Sequence, residues 1–178
     1  MKYGLIYLSA LMIIAVIASN ILVQILINDW LTFAAFTYPV TYLVSEMANY
    51  YYGPSYARKI VYRAFLIAFL SSLVLGSFRI ACASALAFLI SQLLDIYLFT
   101  RLRNKYKFWW LAPAASATIA SMVDTAIFFS IAFFGQGFLI FTLGLGDLGV
   151  KIAMDLALLM PFRIFVLKLP RQNIILNT

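Results

Sequence analysis

The chain has 178 residues, 65% of them hydrophobic and only 11% charged, with mean hydropathy +1.00. Soluble domains carry about 25% charged residues, so the composition excludes an ordinary soluble domain and predicts an all-α integral membrane protein. The net charge of +7 would suit a nucleic-acid partner, but the basic residues form no separate face with interleaved aromatics, so no direct nucleic-acid contact is expected.

A bilayer core of about 30 Å needs roughly 20 apolar residues per helix. Six such segments fill residues 1–178 as a single six-helix transmembrane domain, leaving no room for a soluble one. The first runs from Tyr3 to Ile27. Lys2 ahead of a run with small residues Ala15, Ala18 and Ser19 resembles a secretory signal, but an apolar stretch reaching Ile27 is too long for a signal core. Asn20 and Gln24 lie one turn apart on it, and Asp29 follows in a loop, where it reads as solvated. The second segment, Leu31 to Tyr52, carries Tyr38, Tyr42, Glu46 and Asn49 on one face. Pro39 marks either a helix start or a discontinuous second helix of the kind that transporters use to build sites.

The third segment runs from Ile60 to Gly76. The fourth, Ile80 to Thr100, places Ser84, Phe88, Gln92, Asp95 and Phe99 on one face; its Cys82 is the chain's single cysteine, which rules out an internal disulfide and reads as packing. A basic hairpin from Arg101 to Lys107 follows, with Trp109 and Trp110 as interfacial anchors. The fifth segment, Phe108 to Phe134, presents Ser121, Asp124 and Phe128, a pattern that echoes Ser91, Asp95 and Phe99. Gly135, Gln136 and Gly137, then Gly144, Gly146 and Gly149, read as an outward-facing loop. The sixth segment, Leu145 to Leu167, holds Lys151 and Asp155 four residues apart, which predicts an intrahelical ion pair.

Lys2, then Arg58, Lys59 and Arg63, then Arg101, Arg103, Lys105 and Lys107, then Arg163, Lys168 and Arg171 fall on one side of this six-span arrangement. Of the remaining basic residues, Arg79 lies opposite and Lys151 lies within a span. The positive-inside rule then puts both termini of this multi-pass protein in the cytoplasm.

Function is carried by the acids. Glu46, Asp95, Asp124 and Asp155 sit inside bilayer-length apolar segments, where an ionisable group costs at least about 2.5 kcal/mol and usually marks a substrate or ion pathway. At 1.5 Å of rise per residue, Glu46 and Asp95 both lie roughly 10 Å from the basic edge, while Asp124 lies roughly 22 Å from it, near the level of Asn20. The faces mix carboxylates and amides (Asn20, Gln24, Glu46, Gln92, Asp95, Asp124) with aromatics (Tyr42, Phe99, Phe128), the inventory of a pocket for a planar hydrogen-bonding ligand. Asp124, the outermost of these acids with no cation on its own span, is the expected proton-coupling residue. The chain has no histidine and no GxxxxGK[ST] loop, so neither a histidine metal site, nor a cofactor, nor ATP hydrolysis of its own by that loop is expected, and no nucleophile motif suggests an enzyme.

The segments SNILVQ from Ser19, TYP from Thr37, YGPSYARK from Tyr52, ASALAFLISQLLDIYLFTRLR from Ala83, WWLAP from Trp109 and SMVDTAIFFSIAF from Ser121 resemble the queuosine-precursor transporter family, also called vitamin uptake transporters, over nearly the whole length. The resemblance implies a six-helix inner-membrane importer of 7-deazaguanine bases, cyano- or aminomethyl-substituted, or of queuine, feeding tRNA modification. Asn20, Gln24, Pro39, Glu46, Arg58, Gln92, Asp95, Arg101, Asp124 and Lys151 match family motifs. Two departures are Glu46, where the family usually has aspartate, and a short connection at Ser77 to Ile80. A guanine-type donor edge can pair with both oxygens of one carboxylate. Gln92 and Asn20 would then serve the acceptor edge, and Phe99, Tyr42 or Phe128 would stack. The alternative is a substrate-binding membrane subunit of an energy-coupling-factor-type importer, whose helix-contact stripe Ala15 and Ser19 approximate. A homodimer or a separate coupling partner stays open at this stage.

Overall fold

The computed structural model describes residues 2–28, 31–75, 78–135 and 139–168. Asp29, Ser77, Gln136, Gly137 and Arg171, which entered the sequence reading, lie outside them. Eight helices and one small ribbon are described: α1 (Lys2–Leu22), β1 (Leu26–Asn28), β2 (Leu31–Thr32), α2 (Ala34–Thr37), α3 (Pro39–Tyr52), α4 (Pro54–Leu75), α5 (Phe78–Lys105), α6 (Leu111–Ala132), α7 (Leu139–Ala157) and α8 (Leu159–Lys168).

The chain is thus a helical membrane protein with one departure from all-α. The first helix stops at Leu22, short of Ile27, and the chain turns through two tight backbone bonds, Gln24 N–H to the Ile21 carbonyl and Ile25 N–H to the Leu22 carbonyl. Leu26–Asn28 then pair antiparallel with Leu31–Thr32. The β-branched Ile25 and Ile27 suit extended backbone, and apolarity alone could not tell this ribbon from two more helical turns.

Among the described residues three helices are long and apolar enough to cross a membrane: Gly4–Leu22, Phe78–Lys105 and Leu111–Ala132. Of the others, α4 opens with Arg58, Lys59 and Arg63, and α7 carries Asp147, Lys151 and Asp155. Prolines interrupt the rest. Pro39 has no N–H for the Ala35 carbonyl, and Pro161 has none for the Ala157 carbonyl, so the helical ladder breaks at Tyr38 and at Leu158. Tyr38 keeps helical angles, φ −60° and ψ −40°. The expected discontinuous helix is therefore a lost ladder bond and not an unwound stretch.

Helices also outrun the apolar segments at their charged ends. α5 continues from Thr100 through Arg101 and Arg103 to Lys105, and α4 begins at Pro54, ahead of Ile60, because charge stops a membrane span but not a helix. The most extensive contact is between α5 and α6. Ala81, Ala83, Ala85 and Ala87 on α5 are buried, as are Ala112, Ser116 and Ala120, one turn apart on α6. Small residues at this spacing let backbones approach closely. Large apolar side chains such as Leu11, Ile14, Leu66, Val74, Leu86 and Ile119 face outward, as lipid-facing positions should.

The α3–α4 corner depends on one residue. Gly53 ends α3 at φ 87° and ψ 169°, a region that essentially only glycine occupies, and Pro54 opens α4 with a ring pre-set for a helical first turn. Gly53→Ala is expected to cost about 1–3 kcal/mol of stability, read as a lowered unfolding midpoint of the purified protein in detergent; an unchanged midpoint would show that the corner relaxes freely.

Candidate functional site

The polar residues of α3, α5, α6 and α7 meet along one seam, and the hydrogen bonds fix the register. Tyr38, just ahead of α3, meets Asp124 of α6, and eight residues on, Glu46 meets Ser116, eight residues back. These helices are antiparallel. Thr41, Ser45 and Asn49 of α3 meet Gln92, Asp95 and Thr100 of α5 in ascending order, so those two run parallel. Ser121 and Asp124 of α6 meet Asp155 and Lys151 of α7. The seam follows α5 from Ser84 to Thr100, roughly 24 Å at 1.5 Å of rise per residue.

At the end near the ribbon, Asn20 donates to the Ser72 hydroxyl at 2.7 Å and accepts from Ser84 at 3.0 Å. Next comes a charged cluster. Tyr38 donates to Asp124 Oδ1 at 2.6 Å, with Ser91 donating to the same oxygen at 3.3 Å. Lys151 Nζ lies 3.1 Å from Asp124 Oδ2 and 2.7 Å from Asp147 Oδ2, 3.3 Å from the Thr125 hydroxyl, and 5.0 Å from the centre of the Tyr38 ring. Thr32 of the ribbon reaches Asp147 Oδ1 at 3.5 Å. Asn20, Tyr38, Asp124, Phe128, Asp147 and Lys151 line a cavity of about 40 Å³, room for a water or two but not for a bicyclic base.

The predicted Lys151–Asp155 ion pair is not formed. Lys151 turns to Asp147 on its own helix and to Asp124 across the interface, while Asp155 accepts from Ser121 at 2.7 Å. Both Asp147 and Asp155 are four residues from Lys151. An acid on the N-terminal side of a lysine is the better-oriented pair, and that preference was the signal available for Asp147, which the sequence reading passed over. Tyr38 was visible as a member of the α3 stripe but was given no role. Asp124 has no cation on its own helix, as expected, and its partner Lys151 comes from the neighbouring α7.

The inner tier comes next along α5. Ser45 donates to Asp95 Oδ2 at 2.8 Å, Gln92 donates to the Thr41 hydroxyl at 2.8 Å, and Ser116 donates to Glu46 at 3.3 Å. Asp95 and Asp155 are both within electrostatic reach of Glu46, and Asp124, Asp155 and Asp95 are all within reach of the Tyr42 hydroxyl. Asp95 Oδ1, Gln92 Oε1, Asp155 Oδ1 and the Tyr42 hydroxyl are buried without a protein partner among the described residues. Unmatched buried polar atoms are uncommon and call for an explanation; here they amount to three acceptors and one hydroxyl in one neighbourhood.

The structure thus brings together Asn20, Tyr42, Glu46, Gln92, Asp95, Asp124 and Phe128, and leaves two candidates out. Gln24 lies beyond the end of α1, exposed, donating back to the Asn20 carbonyl at 3.3 Å. Phe99 packs edge-on to Phe162 at 6.0 Å in a separate aromatic cluster. Among the described residues no group of three or more His, Cys, Asp or Glu is placed to hold a metal ion.

The family described as "Putative vitamin uptake transporter" matches residues 71–166. The chain is 32% identical over 153 residues to a protein of Escherichia coli (strain K12) named queuosine precursor transporter, covering 73% of this chain and 69% of that one. It is 33% identical over 168 residues to a Haemophilus influenzae protein named probable queuosine precursor transporter, covering 75% and 71%. A Bacillus subtilis protein of that same name is 27% identical over 124 residues, covering 55% and 54%. No solved structure matches the chain.

Lys151 is the ion-pair partner of two buried carboxylates, Asp124 and Asp147, so its removal should leave both without a cation. Lys151→Met is expected to destabilise the protein by about 3–5 kcal/mol and Lys151→Arg by much less, measured as unfolding midpoints in detergent. Equal midpoints for the two variants would contradict the pairing.

Proposed function

The chain belongs to the vitamin uptake transporter family, with relatives named queuosine precursor transporters, a family of membrane transporters and not of enzymes; on that premise we propose that it imports 7-deazaguanine bases, or queuine, across the bacterial inner membrane. The observation that supports the chemistry is the set of unmatched buried atoms on this seam, the acceptors Asp95 Oδ1, Gln92 Oε1 and Asp155 Oδ1 and the Tyr42 hydroxyl. A guanine-type base offers a ring N–H beside an exocyclic amine, a donor edge that pairs with a carboxylate through charge-assisted bonds. Asp95 takes that edge, Gln92 takes a further donor, and Tyr42 or Phe128 lies against the ring. An aminomethyl substituent, cationic at neutral pH, would also meet the local excess of carboxylates. The small cavity beside Asp124 must widen for a base to pass, and the lost ladder bonds at Pro39 and Pro161 are where α2–α3 and α7–α8 bend most cheaply.

The working arrangement is six spans in a single domain covering 1–178, with α2–α3 and α7–α8 each acting as one interrupted span and both termini in the cytoplasm. Arg58 and Arg101 line one small cavity, and Arg103 and Arg163 line another, in keeping with one basic end to the bundle. Proton coupling is assigned to Asp124: protonation would release Lys151 to Asp147 and loosen the α6–α7 interface. The alternative of a binding subunit in a larger importer draws no support from α1, since Ser19 is buried and bonded to the Thr37 hydroxyl at 2.9 Å and so presents no surface to a partner.

In vesicles supplied with labelled deazaguanine base, Glu46→Gln and Asp95→Asn should each reduce uptake at least tenfold, about 1.4 kcal/mol, at unchanged membrane abundance. Asp124→Asn should keep exchange and lose uphill accumulation, which a protonophore should also abolish in the unaltered protein. Wild-type uptake in both inner-tier variants would assign those acids to helix packing, and accumulation indifferent to the proton gradient would leave facilitated diffusion.

A further inference from the structure

One wall of the small cavity beside Asp124 is built differently from the others. Asn20, Ala87, Asp124 and Lys151 reach it from the long helices α1, α5, α6 and α7, whereas Ala34 and Tyr38 reach it from α2 and from the junction of α2 with α3. α2 is four residues long, and Pro39 leaves the Ala35 carbonyl without its ladder bond, so this wall is tied to α3 less firmly than one unbroken helix would be. Side chains hold it instead. Thr37 meets the Ser19 hydroxyl at 2.9 Å, Thr32 ahead of α2 reaches Asp147 at 3.5 Å, and Tyr38 donates to Asp124 at 2.6 Å. The first joins two neutral hydroxyls and the second is long for a hydrogen bond. The third is short and charge-assisted, which is the strong kind.

Tyr38 also adjoins both tiers of the seam. Its side chain lines the cavity, and its ring meets the Tyr42 ring edge-on at 5.8 Å. We propose that Tyr38 is a positioning residue, a latch that holds α2 against the cavity while Asp124 is ionised and frees this wall when Asp124 takes up a proton. The inference rests on the reading of Asp124 as the proton-coupling residue. Asp124 is faced by Tyr38 and Tyr42 from the α2–α3 side, by Ser91 from α5, and by Lys151, with Asp147 beside it, and Asp155 from α7. Of these, Tyr38 alone belongs to the wall that α2 forms. A protonated Asp124 is a neutral acceptor, to which the phenol bond is roughly half as strong, while Lys151 keeps Asp147 as its counter-charge. α2 then turns away at the Pro39 break, and the Tyr38 ring leaves the way from the cavity to the inner tier. Loss of the phenol hydroxyl should therefore act like protonation of Asp124.

Cys82 is the single cysteine, so Cys82→Ser gives a background in which Ala87→Cys places one thiol on the cavity wall, for a membrane-impermeant maleimide applied outside right-side-out vesicles. At one pH, Tyr38→Phe and Asp124→Asn should each raise the labelling rate at least tenfold, and the double variant should go no further, because both open one latch. Ala112→Cys, buried near the other end of α6, should label no faster in any of them, which separates release of the latch from a general loosening of the bundle. Tyr38→Phe should also lower the ratio of uphill base accumulation to exchange, as Asp124→Asn does. Should Tyr38→Phe not fold, Ser19→Cys/Thr37→Cys tests the same movement: oxidation to a bridge between α1 and α2 should stop uptake, and a reductant should restore it. Unchanged Ala87→Cys labelling with Tyr38→Phe, effects that multiply in the double variant, faster labelling at Ala112→Cys, or full uptake by the oxidised chain would overturn the latch. Uphill accumulation by Asp124→Asn would overturn the coupling reading, and the latch with it.

Discussion

Lys151 is the one buried cation among the described residues, set against five buried carboxylates, Glu46, Asp95, Asp124, Asp147 and Asp155. Charge in a membrane interior must be matched or neutralised, and this imbalance shapes the bundle. Lys151 satisfies two of the five, Asp124 and Asp147, and in doing so joins α6 to α7 while Thr32 ties the ribbon to the same cluster. Among the described residues the other three have only hydroxyl donors: Ser45 for Asp95, Ser116 between Glu46 and Asp95, and Ser121 for Asp155. One or two hydroxyls do not saturate a carboxylate, which has about four lone-pair sites. The inner tier is therefore short of donors, and donors are what a guanine-type base or a proton supplies.

Packing makes that shortage tolerable. Alanines and serines on α5 and α6 bring the backbones close, so serine and threonine side chains reach across to acids on the facing helix. Parallel α3 and α5 with antiparallel α6 place Ser45 beside Asp95 and Ser116 beside Glu46 at one depth. The ladder breaks at Tyr38 and Leu158 sit in the two elements that flank this seam. Tyr38 stands where the ladder between α2 and α3 is interrupted and donates to Asp124, so the junction and the charged cluster are linked through a single side chain.

Much of this was legible in the sequence because membrane burial makes polar residues conspicuous. The α3 stripe, the α5 stripe and the shared depth of Glu46 and Asp95 follow from helical period and rise, and the family match agrees with the motif series from Ser91 to Thr125. What failed depends on choices that period cannot make. Lys151 has an acid four residues away in either direction, and rotamer and neighbouring helix decided for Asp147. Gln24 was counted onto α1, but the helix ends at Leu22 and the side chain folds back on the helix terminus. Phe99 keeps the period of α5, yet lies past the polar tier, in the aromatic cluster near the basic end. The ribbon was hidden because isoleucine and leucine suit helix and strand alike when no polar alternation marks the period.

The proposed passage of a deazaguanine base over the under-satisfied carboxylate and amide tier has a direct readout in tRNA. The most direct measurement is the queuosine content of tRNA in cells that can neither make the precursor nor import it, grown with the base at low external concentration and expressing this chain. Restored queuosine with the unaltered chain, and none with Asp95→Asn present at equal membrane abundance, is the result predicted. Queuosine that stays absent with the unaltered chain in the membrane, or returns equally with both, would contradict it.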